Sequence, residues 1–256
     1  GSLILAAYGA LTTGDTASAA RDASTALAIL TQVGDAWALV HAQALLGGIA
    51  EAEGRFSDAA DAVRQAADKS RSLGFPGQTA LHLATLAQIE HRLGRDARAV
   101  RTFQSAIAEA EVGADGRLAS TARLHLAQLL RARGAEAAAL PLLEQNREWY
   151  AHAGGGDGAL LTRCLLHAQT DDRSGLAQVL REAQEADNTQ VQIYALDAQA
   201  REAAQREDHN EARALLLRAD DVATLAGAGI SEQDRCDKQR ALSLLAARSV
   251  GDGGVV

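Results

Sequence analysis

The 256-residue chain has no methionine, two prolines, two cysteines and only 3% aromatic residues. Scarcity of aromatic side chains disfavours an all-β sandwich or barrel, whose strands need aromatic and β-branched residues at alternate positions. Cys164 and Cys236 stand far apart without a CxxC, whereas a disulfide framework needs more cysteines at closer spacing; both read as free thiols of a reducing compartment. Long apolar runs are missing too. Stretches such as Leu3 to Ala7 and Val222 to Ile230 fall far short of the ~20 residues that cross a bilayer, so no membrane role is expected. No signal-peptide pattern precedes the first helix, and a cytoplasmic location is expected. Positive charge is in deficit: a net charge of −8 and a pI near 5.4 argue against direct nucleic-acid binding. Disorder is disfavoured by 47% hydrophobic content at so modest a net charge. Gly1-Ser2 in place of an initiator Met reads as a cloning scar on a fragment of something longer.

What the chain has in abundance is alanine, 58 residues of 256, which is helix-favouring methyl surface. Its glycines are periodic. Gly14, Gly54, Gly94 and Gly134 are each 40 residues apart. A second series runs through Gly34, Gly74 and Gly154, with Gly113 one residue out of register. The two alternate every 20 residues and mark helix ends, where glycine takes a positive φ without a Cβ clash. Between them lie helical stripes, such as Ala59, Val63, Ala66 and Ala67, and again Ala99, Phe103, Ala106 and Ile107. Each unit therefore reads as two helices of roughly 16 residues. Small residues recur at fixed spacing: Gly47, Ala59, Ala66; Ala87, Ala99, Ala106; Ala127, Ala139, then Asn146. Leu46, Leu86 and Leu126 precede the first small residue, and Val63, Phe103 and Leu143 follow the second-helix alanine by four.

This small–Gly–Ala–bulky–Ala pattern resembles the tetratricopeptide repeat. The period of 40 exceeds that family's usual length, and the early aromatic and terminal proline are absent. In unit length and turns, such as Val33-Gly34-Asp35 and Glu53-Gly54-Arg55, the array resembles the repeat domains of SARP and LuxR-type bacterial ATPase transcription regulators. The resemblance implies an all-α, right-handed α-solenoid of about six helix pairs plus a C-terminal capping helix. The expected single domain spans residues 3–250, with units at about 3–34, 35–74, 75–114, 115–156, 157–187 and 188–227. The capping helix is placed at 231–248, opened by Ser231, and a flexible tail at 251–256. Pro141 predicts a kink or late start in the second helix of the fourth unit. Gly154 to Gly158 is a flexible junction. The fifth unit is expected to keep its helix length while Asp171-Asp172 replaces the glycine turn.

Catalytic and metal motifs are not found. The run Gly154-Gly155-Gly156-Asp157-Gly158 lacks a preceding strand and a following Lys-Ser/Thr, so it reads as a hinge, not a phosphate loop. His82 and His125 lie on the first helices of adjacent units, where stacking brings them within reach, but no third metal ligand accompanies them. Glu90-His91 and Asp157 read as polar helix faces, and neither GxSxG nor HExxH occurs. No enzyme activity, metal or cofactor is expected. Trp37 is expected to pack between the first two units; Trp149 and Tyr150 read as core or as exposed contacts beside the glycine junction.

The resemblance implies that first helices line a concave, partner-binding face. Its slots fall on His41 and Glu51, on Gln88, His91 and Arg92, on Gln128 and Arg131, and on Tyr194, Asp197, Arg201 and Gln205. Together they would make a mixed polar groove suited to a peptide or a small polar inducer. The Lys/Asn/Lys/Arg clamp by which some repeat domains hold C-terminal carboxylates is absent, with Ala44 and Gly48 in two of its slots. The function implied is a sensor or protein-interaction domain acting on neighbouring ATPase and DNA-binding domains of the same polypeptide. A scaffold that assembles other proteins is the alternative.

Overall fold

The computed structural model describes residues 2–225, all of whose regular structure is helical. Twelve helices follow one another: α1 Ser2–Thr12, α2 Thr16–Val33, α3 Ala36–Ala52, α4 Phe56–Ser72, α5 Pro76–Arg92, α6 Asp96–Val112, α7 Gly116–Ala132, α8 Glu136–Ala153, α9 Asp157–Gln169, α10 Arg173–Glu185, α11 Thr189–Gln205 and α12 His209–Leu225. They pair in sequence as an array of helix hairpins. The expected capping helix at 231–248 and the tail lie outside the described residues, as does Cys236.

Most turns follow one recipe. A residue with positive φ ends one helix and the next residue is the N-cap of the following helix; before α9 the cap is instead Gly156, two residues past Gly154. Asp15, Asp35, Asp115, Asp172 and Asn188 accept a backbone N–H three residues on, which satisfies one of the free donors of a helix start. The positive-φ positions are 14, 34, 54, 74, 94, 114, 134 and 154, then 156 at the glycine junction, and 171, 187 and 207. Gly113 is thereby corrected. The backbone keeps its 20-residue step, Ala114 takes the left-handed turn (φ 52) and Gly113 stays right-handed (φ −76). The space at 113 is tight. A Cβ there would lie 3.2 Å from the Gly77 nitrogen and 3.5 Å from Pro76 Cγ, where α5 begins. In the later repeats Asp171, Asp187 and Glu207 occupy the left-handed turn position.

Two compact units divide the chain, Gly1–Leu142 and Leu143–Val256. The division falls just past Pro141. The expected late start beside this proline is not seen: α8 begins at Glu136 and continues through Pro141. Its first turn is anchored by Ala138 and Ala139, whose N–H groups donate to the Ala135 carbonyl.

In the first unit each helix packs on the next, and α1 also touches α3 and α5 touches α7. No two even-numbered helices pack as extensively, so the odd helices form one layer and the even helices the other. The interior alternates small and large groups: Ala67, Ala84, Ala87, Ala99 and Ala106 enclose Leu83, Phe103, Leu126 and Leu129. Gly47 shows how tight the spacing is, since a Cβ there would stand 2.5 Å from Val63 Cγ2.

In the second unit α9 packs on α10 and α11, α10 on α11, and α11 on α12. Cys164 is buried there among the core side chains. The fifth pair does not keep helix length: α9 and α10 have 13 residues each, against 17 in α3 to α7. Asp171 and Asp187 turn the chain one helical turn early, so the pair closes on a shorter core.

Candidate functional site

Every residue expected to face a partner lies on an odd-numbered helix. In the first unit these are His41 and Glu51 on α3, Gln88, His91 and Arg92 on α5, and Gln128 and Arg131 on α7. Two pairs of helices are bridged by polar contacts. Arg92 Nη1 reaches Glu51 Oε1 at 2.8 Å, from α5 to α3. Gln88 Nε2 lies 3.1 Å from His125 Nδ1, from α5 to α7. Arg92 also lies 5.8 Å over the Phe56 ring, an arrangement in which the ring's negative face attracts the cation. His91 turns elsewhere: its Nδ1 is 2.8 Å from Asp96, in the first turn of α6. Gln128 and Arg131 are half-buried on α7.

The second unit places Tyr194, Asp197, Arg201 and Gln205 together on α11. Tyr194 and Asp197 are half-buried, while Arg201 and Gln205 are exposed at the helix's far end. Trp149 and Tyr150 are half-buried and stack edge to face at 4.7 Å. The Tyr150 hydroxyl occupies the space that a side chain at Gly158 would need.

An aromatic edge joins the first-unit face. Trp37, expected between the first and second units, is 42% exposed and has ring partners elsewhere. Its indole meets His41 edge-on at 4.7 Å and Phe75 at 4.8 Å. Phe75 stands at the start of α5, one repeat on from Asp35 at the start of α3, and carries a ring where Asp35 carries a capping carboxylate. The loss of the cap residue before Pro76 was the available sequence signal for this contact.

The two histidines considered for metal have other neighbours. His82 is buried, its Nε2 has no hydrogen-bond partner among the described residues, and its electrostatic neighbour is His41. Burial, and secondarily His41, push its pKa down to about 4. Burial likewise lowers that of His125, whose ring lies 6.1 Å from Phe103. Both rings are therefore neutral near pH 7. Among the described residues no three His, Cys, Asp or Glu side chains group closely enough for a metal ion, and no helix is long and apolar enough to cross a membrane.

Glu90 is the largest departure from the sequence reading. It is not on a polar face but 1% exposed. Thr102 Oγ1 donates to its Oε2 at 2.7 Å, while Arg98 Nε and Arg64 Nη2 stand 3.4 and 3.7 Å from its Oε1. Long arginine side chains reaching in from the even helices neutralise a carboxylate at an interior position. The signal was present in the repeat: the residues 40 positions before and after it are Ala50 and Leu130.

No protein-family model and no curated protein matches this sequence. Solved structures do resemble it. A Rap protein complexed with Competence and Sporulation Factor superposes with a TM-score of 0.64 at 17% identity, over 87% of this chain and 62% of that one. Aspartyl phosphate phosphatase F from Bacillus subtilis gives 0.71 at 15% identity, over 90% of this chain and 61% of that one. A tetratricopeptide repeat protein from Parabacteroides merdae gives 0.57 at 12% identity, over 96% and 98% of the two chains. The chain thus spans about three-fifths of the length of the first two. At such identities the likeness is one of fold, that of tetratricopeptide-like helix-pair arrays.

Proposed function

We propose that this chain is a non-catalytic, cytoplasmic sensor and interaction module of a bacterial transcription regulator. Its odd-helix face takes a protein segment, a small inducer or a neighbouring ATPase or DNA-binding domain of the same polypeptide. The observation that carries this reading is the pair of cross-helix contacts, Glu51–Arg92 and Gln88–His125, on the layer that also exposes Trp37. The solvated Glu51–Arg92 pair contributes little to stability, typically about 0–1 kcal/mol, while Gln88–His125 is a half-buried contact between neutral groups; together they set charge and hydrogen-bonding groups in register along three helices. A partner can exchange with the ion pair at small cost. The likeness to a Rap protein complexed with Competence and Sporulation Factor supports a ligand-responsive array. The resemblance of the 40-residue unit to regulator repeats supports the transcription setting.

Regulation requires the partner to bind two states of the array with different affinity. The test uses the full-length parent protein, in which residues 3–250 are deleted or Arg92 is replaced by Glu. A changed ATPase rate or DNA affinity in both variants is expected. No change on deletion overturns the regulator reading; a change on deletion with none for Arg92→Glu overturns the assignment of the face.

A further inference from the structure

On the opposite layer of the first unit, α4 and α6 wall a cleft of about 390 Å³ floored by α5. Arg64 and Arg71 line one wall, Arg98 and Arg101 the other, with Leu83, Leu86 and the buried Glu90 beneath. Four guanidinium groups thus face one space around a single lining carboxylate, in a chain whose net charge is −8. Three acidic side chains touch this set from the rim. Asp61 Oδ1 pairs with Arg64 at 2.7 Å, Glu109 Oε1 with Arg71 at 2.8 Å, and Asp68 Oδ1 with Arg71 at 3.7 Å. Asp61 and Asp68 are exposed, so these are solvated pairs of small net worth, readily exchanged. Arg101 forms no ion pair among the described residues.

The repeat supplies its own control. Forty residues before Arg98 and Arg101 stand Asp58 and Asp61, and forty after Arg64 and Arg71 stand Gln104 and Glu111. Nothing in the stacking of pairs demands arginine there. Glu90 likewise replaces Ala50 and Leu130, although an apolar residue of similar volume is generally as stabilising as a buried ion pair, or more so. What Glu90 does achieve is to hold Arg64 and Arg98 toward each other from opposite walls.

We infer that this cleft binds a phosphate-bearing small molecule. The phosphate dianion is held by Arg101 and Arg98 from one side and Arg71 and Arg64 from the other. Guanidinium groups match phosphate oxygens in pairs of parallel hydrogen bonds. The cleft is far larger than a phosphate and falls in the usual range for small-molecule sites, so the remainder of the ligand rests on Leu83 and Leu86. Glu90 is a positioning residue. The site lies on the even-helix side and is independent of the odd-helix reading.

The test is calorimetric titration of the full chain with inorganic pyrophosphate, and with tricarballylate as a carboxylate comparison. Saturable pyrophosphate binding is expected, tighter than tricarballylate binding by at least tenfold. Arg101→Gln breaks no ion pair and should weaken it about tenfold with an unchanged circular dichroism spectrum. Arg117→Gln, at an exposed arginine of α7 that likewise forms no ion pair among the described residues, should leave it unchanged. Absence of saturable binding, equal loss in both variants, or equal affinity for tricarballylate would overturn the proposal.

Discussion

The turn positions give opposite signs to one chemical change. Ala114 sits at φ 52 and Gly94 at φ 69, both at the end of a second or first helix of the same unit type. An L-residue in the left-handed region costs about 1–2 kcal/mol relative to glycine. Glycine in turn gives the unfolded chain more entropy, costing about 0.4–1 kcal/mol. Ala114→Gly should therefore stabilise by about 0.5–1 kcal/mol, and Gly94→Ala should destabilise by the same amount. No atom lies within 4 Å of a Cβ built on Gly94, so backbone conformation alone sets the sign there. Gly9 is the internal control: it lies inside α1, also with nothing within 4 Å. Gly9→Ala should stabilise by about 0.5–1 kcal/mol. Urea unfolding of the three variants, compared at unchanged m-value, measures all three shifts. A neutral or stabilising Gly94→Ala, or a destabilising Ala114→Gly, refutes the 20-residue turn lattice.

His82 makes stability depend on acid pH. Its pKa is lowered from 6.5 to about 4 in the fold, so between these values the unfolded chain binds more protons and stability falls as pH drops through that window. Thermal melts at steps between pH 8 and pH 4 should show this decline, and His82→Leu should flatten it, leaving the smaller contribution of His125 in the same direction. Phe103 is 2% exposed among Ala67, Leu83, Ala87 and Leu126. Phe103→Ala should cost about 3–5 kcal/mol by transfer and cavity terms, read as a lowered urea midpoint and faster amide exchange in α5, α6 and α7.

The glycine period and the small-residue slots made the pairing of helices legible, because close approach at Gly47 and the left-handed turns admit few residue types. The later turns were less legible: Asp171, Asp187 and Glu207 adopt the same backbone without glycine, and the shortening of α9 and α10 left no periodic mark. Along the candidate face, sequence could place residues on α3, α5 and α7 but not pair them. The Glu51–Arg92 bridge depends on how far two neighbouring helices are offset, and His91 swings to Asp96 instead. Glu90 was misread because a carboxylate looks solvated until the arginines of two other helices are seen to surround it.

The role of the odd-helix layer is tested most directly by amide exchange on the parent protein, comparing the whole polypeptide with the isolated chain. Added protection in the whole polypeptide is predicted along α3, α5 and α7 of the first unit, between Trp37 and Arg131. Protection confined to α2, α4 and α6, with those odd helices unchanged, would contradict it.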